Sequence, residues 1–253
     1  MRPINVTASI LASQLRGWSG TMAVRKAAKQ PKQPLVLYDI ENCPYCRLVR
    51  EALTELDLDA LIQPCPRNGE RFRPEVEELG GKQQFPFLVD PNTGTQMYES
   101  ADIIDYLVRT YGGKLSAQRG LRRSLAVGSS MLASAARADL GLRAKNSTPP
   151  KQPLELYSFE SSPYSRLVRE KMCALELPYL LRNTGKGRWT DLGPPSLRDR
   201  VWRAPKETQR NRKRLAKITG RVQVPYLVDP NTGTEMFESG AINRYLEQTY
   251  AAG

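Results

Sequence analysis

The sequence contains no histidine among its 253 residues. That absence excludes Ser-His and Cys-His catalytic pairs, a histidine general base and any histidine metal ligand. Four cysteines are too few for a disulfide-stapled scaffold, and no uninterrupted apolar run reaches the roughly 18 residues of a membrane span. Cysteine is therefore the nucleophile on which a catalytic function would depend.

Acidic residues are in the minority, and the positive excess is unevenly placed. Lys and Arg number 38 against 26 Asp and Glu, which gives a net charge of +12. Residues 1–38, 112–153 and 182–221 carry net charges of +6, +7 and +10, so the rest of the chain is net acidic. Arginines and tryptophans occur together in the stretch 185–220, a composition that can bind nucleic acid. No recognised nucleic-acid motif accompanies them, so we expect a solvated basic surface, with neither nucleic acid nor a membrane as partner.

An internal repeat divides the chain. Residues 32–55 match residues 151–174 at 14 of 24 positions without a gap. Residues 86–100 match residues 225–239 at 12 of 15 positions, with an offset of 139 rather than 119. The sequence therefore holds two tandem copies of one unit, and the second copy has about 20 extra residues between its matching blocks.

The repeat predicts the domain boundaries. The segments are an N-terminal helical and basic extension (1–31), copy one (32–113), a helical linker (114–150), and copy two (151–253) with a basic insertion at about 185–220. Within the linker, residues 131–142 are predicted to form a short helix. The extension lacks acidic residues, as organelle transit peptides do. A similar sequence precedes copy two, however, where a targeting signal cannot lie. A structural helix is therefore the favoured interpretation of the extension.

Each copy is predicted to form an α/β unit. In copy one, Leu35–Tyr38 is an apolar strand, and a helix with apolar residues at helical spacing starts near Cys43. Asp90–Gly94 is a turn that joins two strands, and Ser100 is expected to cap a closing helix. This order of elements, β-α-β and then β-β-α, predicts a four-stranded mixed sheet with flanking helices in each copy.

The motif Cys43-Pro44-Tyr45-Cys46 lies where the first strand passes into the first helix. A thiol at a helix N-terminus faces unpaired backbone N–H groups and the positive end of the helix dipole, which favour the thiolate. Pro44 suits the first helical turn, Cys46 is close enough to close a disulfide, and Arg47 adds positive charge. Thiol–disulfide chemistry is favoured, while iron–sulfur ligation between chains and an inert pair stay open. No second cysteine pair exists to complete a zinc site, so no metal is expected.

Copy one resembles glutaredoxins and the N-terminal, thioredoxin-like domain of glutathione transferases. The resemblance rests on the CPYC motif, on Phe85-Pro86, where that superfamily has a cis-proline before a strand, and on Glu99-Ser100, which matches a pair that holds glutathione. It covers roughly residues 32–113 and 151–250. It implies two tandem thioredoxin-like domains.

The resemblance also implies a role for each residue of the motif. Cys43 would be the nucleophile and Cys46 the resolving thiol. The Phe85 backbone and Pro86 would contact the cysteinyl part of glutathione. Ser100 would hold the γ-glutamyl carboxylate, and Glu99 would face the γ-glutamyl ammonium group. Tyr45 would also contact glutathione. Glutathione is then the co-substrate, and glutathionylated or disulfide compounds are the partners. A turn proline, a helix cap and a solvated charge are the plainer interpretations of Pro86, Ser100 and Glu99.

Copy two lacks both motif cysteines, because Ser162-Pro163-Tyr164-Ser165 stands in their place. It therefore cannot exchange disulfides. It keeps the candidate residues of a second glutathione site, which are Ser162, Val224, Pro225, Glu238 and Ser239. A glutathione-binding domain and a domain retained for packing are both open for this copy.

The sequence as a whole predicts a glutaredoxin-like, glutathione-dependent oxidoreductase that acts through copy one. A glutathione transferase and a non-catalytic module that binds glutathione or a protein are the alternatives. Cys65 and Cys173 are expected to be structural thiols. We expect a cytoplasmic protein of bacterial type, with a plastid protein as the alternative, and a monomer in which the two domains pack together is compatible with the repeat.

Overall fold

The computed structural model describes residues 3–114, 120–191 and 207–252. Helix α1 (Pro3–Leu15) precedes copy one, and helix α5 (Leu121–Ala135) lies between the copies. The elements of copy one are β1 (Leu35–Asp39), α2 (Pro44–Glu55), β2 (Ala60–Pro64), α3 (Arg73–Gly80), β3 (Phe87–Asp90), β4 (Thr95–Met97) and α4 (Ser100–Tyr111). Those of copy two are β5 (Leu154–Ser158), α6 (Pro163–Ala174), β6 (Tyr179–Asn183), a 3-10 turn (Trp189–Asp191), α7 (Arg210–Thr219), β7 (Tyr226–Asp229), β8 (Thr234–Phe237) and α8 (Ser239–Tyr250).

The expected α/β class is confirmed, and the strands of both copies form one continuous sheet. Its order is β4-β3-β1-β2-β6-β5-β7-β8. Within each copy the first two strands are parallel and the other pairs are antiparallel, which is the expected mixed arrangement. The two halves join where β2 pairs with β6 in antiparallel register, with Leu61 opposite Leu180. This junction gives each copy a partner for a strand that would otherwise be an exposed sheet edge.

The apolar core is continuous across the junction, because side chains from both copies form one buried cluster. In copy one, the alternating strand residues Leu35 and Leu37 meet Val49 and Leu53 of α2, which recur at helical spacing. The equivalent strand and helix of copy two contribute to the same cluster. The core therefore fixes the start of α2 rigidly above the sheet.

The helices outside the repeats cross over between the copies. Helix α1 precedes copy one but packs on copy two, where the Ser9 hydroxyl donates to the Pro163 carbonyl at 2.8 Å. Helix α5 packs on copy one, where the Ser130 hydroxyl donates to the Pro44 carbonyl at 2.8 Å. Each of these helices thus lies against the motif turn of one copy, and residues Pro3–Leu15 of the extension form a helix.

Two details of the linker and of copy one differ from the prediction. The linker helix is α5 rather than residues 131–142, because turns replace the helix after Ala135. Helix α3 was not predicted, since its eight residues contain only one buried side chain, Val76, and show little apolar periodicity. Helix α7 occupies the corresponding place before the third strand of copy two.

The basic insertion differs from the expected solvated surface at its helical end. Arg210 Nη2 donates to the Asp59 carboxylate of copy one at 2.9 Å, and Arg212 is buried. Lys213 and Arg214 remain exposed. Residues 192–206 of the insertion, including Trp202, lie outside the described residues. No helix in the described parts of the chain is both long enough and apolar enough to cross a membrane.

Candidate active site at the start of helix α2

Cys43 occupies the N-cap position of α2. Its backbone is extended, with φ −79° and ψ 127°, and Pro44 begins the helix, where no backbone N–H is needed. The Cys43 Sγ accepts the backbone N–H of Cys46 at 3.5 Å. The Cys43 side chain is half-buried and Cys46 is buried, so only the first thiol is open to solvent. The predicted pair is therefore placed with one accessible and one enclosed thiol.

The two thiols have opposite proton affinities. A hydrogen bond from the Cys46 side chain lowers the pKa of Cys43 to about 7, with further contributions from the backbone N–H groups of Cys46 and Tyr45 and from the charge of Arg50. Burial raises the pKa of Cys46 well above its ordinary value. Cys43 is thus the thiol that ionises near neutral pH, and Cys46 keeps its proton.

A cation that the sequence did not single out acts on Cys43. Arg47 is buried and donates to the Ser134 hydroxyl at 3.2 Å, and burial lowers its pKa. Arg50, one turn further along α2, contributes positive charge that lowers the pKa of Cys43. The sequence could not separate the two, because both arginines lie near the motif and only their burial and partners distinguish them.

A cavity of about 660 Å³ lies beside the motif. All five residues predicted to contact glutathione line it, namely Tyr45, Phe85, Pro86, Glu99 and Ser100. Neither Cys43 nor Cys46 is among the lining residues, although Tyr45 immediately precedes Cys46 and follows Cys43 by two residues. The sequence analysis missed Gln84 and the whole of one wall, which α5 forms with Arg123, Ser124, Val127, Gly128 and Met131. A volume of this size is typical of small-molecule sites.

Ser100 has an unused hydroxyl at the cavity. It is the first residue of α4 rather than its N-cap, which is Glu99. The Ser100 side chain is buried at 1% exposure, and its Oγ has no hydrogen-bond partner within the described residues. Buried polar groups are normally paired, so an unpaired hydroxyl at a helix N-terminus is suited to an anionic ligand.

Glu99 is held in an unusual backbone conformation. Its φ of 66° lies in the left-handed region that non-glycine residues seldom adopt. The Gln84 side-chain amide donates to Glu99 Oε1 at 2.7 Å, and Arg123 Nη2 lies 3.9 Å from Glu99 Oε2. The carboxylate therefore stands at the cavity wall between an amide and a guanidinium. The Phe85–Pro86 peptide bond that precedes β3 is cis.

Copy two repeats this geometry without the thiols. Ser162 is the N-cap of α6, and its Oγ accepts the Ser165 N–H at 3.3 Å. The Val224–Pro225 bond is cis, and Glu238 has a φ of 69° and precedes the buried Ser239. Ser162 is only 3% exposed, whereas Cys43 is half-buried. The second candidate site thus keeps its backbone geometry, but the serine in place of the nucleophile is enclosed.

A charge cluster that the sequence analysis missed joins the two copies behind the site. Arg50 Nε donates to Glu160 Oε2 at 2.9 Å, and Arg169 Nη2 lies 3.0 Å from Glu41 Oε1. All four side chains are buried. The signal for this cluster was present, because a glutamate is followed nine residues later by an arginine in both copies. Each arginine thus pairs with the glutamate of the other copy as well as with carboxylates of its own copy.

The two remaining cysteines are enclosed. Cys65 and Cys173 are both buried, and burial raises the pKa of each thiol well above its ordinary value. The Cys173 Sγ accepts the Glu41 N–H from the other copy at 3.4 Å. These properties make them unreactive thiols at the junction of the copies. Among the residues that the structure describes, no cluster of three or more metal-ligating side chains occurs.

Comparison with known proteins identifies a family through sequence. The family model described as "Glutathione S-transferase, N-terminal domain" matches the chain over residues 37–115 and 156–253. No curated protein matches the chain.

Solved structures give partial matches. Bombyx mori glutathione transferase BmGSTD1 is 34% identical over 33% of this chain and 38% of its own, with a TM-score of 0.29. A delta-class glutathione transferase of Nilaparvata lugens is 28% identical over 32% of this chain and 38% of its own, with a TM-score of 0.26. Leishmania TDR1, a trimeric glutathione transferase, is 13% identical over 87% of this chain and 68% of its own, with a TM-score of 0.27. The chain thus spans less than half the length of the two insect proteins. TM-scores below 0.3 do not establish that these proteins share the overall structure of this chain.

Proposed function

The chain belongs to the glutathione S-transferase N-terminal-domain family. Within this family, we propose that it is a glutathione-dependent thiol–disulfide oxidoreductase acting through Cys43. The observation that carries the proposal is the asymmetric thiol pair. Cys43 is accessible with a pKa of about 7, and Cys46 is buried with a raised pKa. A nucleophile that is about half ionised at neutral pH beside a protonated resolving thiol suits disulfide exchange.

The proposed reaction begins with a mixed disulfide of glutathione. The Cys43 thiolate attacks the glutathionyl sulfur, the substrate disulfide breaks, and the substrate thiolate leaves and takes a proton from water. A second glutathione, as its thiolate, then attacks the glutathionyl sulfur on Cys43, which releases oxidised glutathione and restores the Cys43 thiolate. Alternatively Cys46 loses its proton and attacks Cys43, which releases reduced glutathione and leaves a Cys43–Cys46 disulfide.

The cavity supports binding of the tripeptide in an extended form. The unpaired Ser100 hydroxyl and the N-terminus of α4 would receive the γ-glutamyl carboxylate, and Glu99 would face its ammonium group. The backbone at Phe85, beside the cis bond to Pro86, would pair with the cysteinyl part. Arg123, at the same wall, would add a positive charge for an anionic ligand.

The test of the proposal is replacement of Cys43. We expect Cys43→Ser to lower reduction of the glutathione–2-mercaptoethanol mixed disulfide by about a hundredfold or more, because a hydroxyl does not ionise near neutral pH. In the unchanged protein, alkylation of Cys43 should rise about tenfold per pH unit below pH 7 and level off above it, as the thiolate fraction does.

Cys173→Ser is the matched control. It also removes one thiol, but at a buried position where a hydroxyl can still accept the Glu41 N–H. Reduction should be unaffected by this change. Unaltered activity in Cys43→Ser would refute the proposal, and an alkylation midpoint near the free-thiol pKa of about 8.5 would remove its physical basis.

Glutathione transfer to an electrophile is the second candidate, and the family match favours it. Conjugation that survives Cys43→Ser but is lost in Ser162→Ala would select it and assign it to copy two. The burial of Ser162 under α1 instead supports a packing role for that copy. Calorimetric binding of glutathione with no turnover in either assay would select the non-catalytic binding module.

A further inference from the structure

A second cavity, of about 460 Å³, lies between the N-terminal extension and the basic insertion of copy two. The extension contributes Lys26 to its wall, and the segment after β6 contributes Arg188. The start of α7 and the residues before it contribute Glu207, Gln209 and Lys213. This cavity shares no lining residue with the cavity at the start of α2, so it has no part in the proposed function.

Hydrogen bonds hold the two sides of this cavity together. The Ala23 N–H of the extension donates to the Lys186 carbonyl at 2.8 Å, and the Gln209 side-chain amide donates to the Ala23 carbonyl at 3.0 Å. The Arg188 N–H donates to Asp191 Oδ2 at 3.3 Å. The walls are therefore positioned before any ligand arrives.

The side chains around the cavity are mainly cationic. Lys26, Arg188 and Lys213 are exposed, and none of them forms an ion pair among the residues that the structure describes. Lys26 acts on Asp57 only as a longer-range charge. Glu207 is the acidic residue of the lining, so three positive charges against one negative leave a net charge of +2.

The N-terminus of α7 adds to this positive potential. Its N-cap residue, Gln209, makes no side-chain cap hydrogen bond, and its first turn contains no acidic residue. Arg210 is paired with Asp59 and Arg212 is buried, whereas Lys213 lines the cavity. Cations are unfavourable at the positive end of a helix dipole, and the unpaired N–H groups there favour an anion.

The buried side chain of Gln209 is a separate indication of a ligand. It is 3% exposed and lines the cavity. Its amide nitrogen donates to the extension, but its Oε1 has no hydrogen-bond partner among the described residues. Buried polar atoms are normally paired, so a donor on a bound molecule is expected to fill this position.

We propose that this cavity binds a small molecule that carries two phosphate groups and a hydroxyl group. The phosphates would bind at the N-terminus of α7 and to Lys26, Arg188 and Lys213, and the hydroxyl would donate to Gln209 Oε1. A volume of about 460 Å³ lies in the range of small-molecule sites. Because the cations come from the extension and from the insertion, the ligand would join these two segments.

The test is calorimetric binding to the full chain at fixed ionic strength, without added metal ion. ADP and fructose 1,6-bisphosphate both carry two phosphates and hydroxyl groups, and each is compared with its monophosphate, AMP or fructose 6-phosphate. We expect the diphosphate or bisphosphate of at least one pair to bind about tenfold more tightly than its monophosphate, because further charge-assisted hydrogen bonds form. The pair that shows this difference separates a nucleotide from a sugar phosphate. Equal binding within both pairs, or binding of neither compound, would overturn the proposal.

Two lysines of α7 give a matched comparison. Lys213→Ala should weaken binding of the tighter ligand about tenfold, because it removes a cation from the cavity. Lys217→Ala removes the same charge from the last turn of the same helix, outside the cavity, and should change the affinity less than about twofold. Equal weakening by both changes would show an effect of net charge alone and would refute the site.

Glu207→Gln tests the site in the opposite direction. It removes the negative charge from the lining and should strengthen binding about threefold, a gain that damage to the fold cannot produce. Unchanged or weaker binding in Glu207→Gln would count against the proposed position of the phosphates.

A 12-nucleotide single-stranded RNA represents the competing occupant, because an exposed basic surface also attracts nucleic acid. We expect it to bind more weakly than the tighter small ligand. RNA that binds more tightly, and that loses affinity equally in Lys213→Ala and Lys217→Ala, would identify an open nucleic-acid surface and would overturn the small-molecule site.

Discussion

At the scale of single residues, sulfur in copy one is replaced by oxygen in copy two at both ends of the motif. The Sγ of Cys43 and the Oγ of Ser162 each accept the N–H three residues on, at 3.5 Å and 3.3 Å. The helix N-terminus stabilises negative charge in both places. Only the thiol has a pKa that this stabilisation can bring to about 7, so only copy one has a motif side chain that ionises near neutral pH.

Ser100 provides a test of ligand binding at the same scale. Its Oγ has no partner among the described residues, so Ser100→Ala removes no protein hydrogen bond and should change the free energy of unfolding by less than about 0.5 kcal/mol. The same change should weaken glutathione binding about tenfold, because a hydrogen bond to a carboxylate is lost. Urea denaturation and calorimetry measure the two quantities. A clear loss of stability with unchanged affinity would show that Ser100 serves only the helix.

At the scale of elements, α1 and α5 are equivalent helices that cover opposite copies. Ser9 on α1 and Ser130 on α5 are buried, and each donates a 2.8 Å bond to the carbonyl of the motif proline beneath it. The contact therefore exists twice in one chain, once beside Cys43 and once beside Ser162.

Because the contact occurs in both copies, a change at Ser9 serves as the control for the same change at Ser130. Ser130→Ala should lower the free energy of unfolding by about 1 kcal/mol, because it removes one buried hydrogen bond. Ser9→Ala should lower it by about 2–3 kcal/mol, because the Ser9 hydroxyl also accepts a hydrogen bond from Arg166 Nη1 at 3.1 Å. Only Ser130→Ala should raise the alkylation rate of Cys43, by about threefold, as α5 opens more often over that thiol. Mass spectrometry of each cysteine gives the rates. An equal increase in both variants would mean that general instability, rather than the cover of α5, controls access.

At the scale of the whole molecule, the copies are joined by sheet pairing, a common core and the buried charge cluster. Burial alone would raise the pKa of Glu160, but Arg169 and Arg50 outweigh it and hold the pKa at about 2. Removing one member of such a cluster leaves an uncompensated buried charge. The cluster therefore requires both copies to be present and docked.

Glu160→Gln should consequently lower the free energy of unfolding by about 3–5 kcal/mol. The control is Glu247→Gln, which removes the partner of Lys171 in an exposed pair and should cost about 0–1 kcal/mol. Urea unfolding followed by tryptophan fluorescence measures both changes. Similar, small losses in the two variants would contradict a structural role for the buried cluster.

Features encoded by local patterns were predictable from the sequence. The duplication is visible as two matching stretches of sequence. The strand before Cys43 is indicated by a short apolar run, and the helix after it is indicated by the spacing of apolar residues and by Pro44 at its start. The lowered pKa of Cys43 could be predicted as well, because a helix N-terminus favours a thiolate wherever it lies in a fold. For the same local reason the serines of copy two excluded disulfide exchange there.

Contacts between distant residues were decided only by the tertiary structure. Ser130 and Pro44 are 86 residues apart, and Arg50 and Glu160 are 110 apart, so no local pattern relates either pair. The pairing of β2 with β6 and the crossing of α1 and α5 depend on which surfaces remain unburied after each copy has folded. The sequence by itself therefore determined the two copies and the thiol motif, while docking decided that α5 walls the cavity and that Arg50 pairs with Glu160 of the other copy.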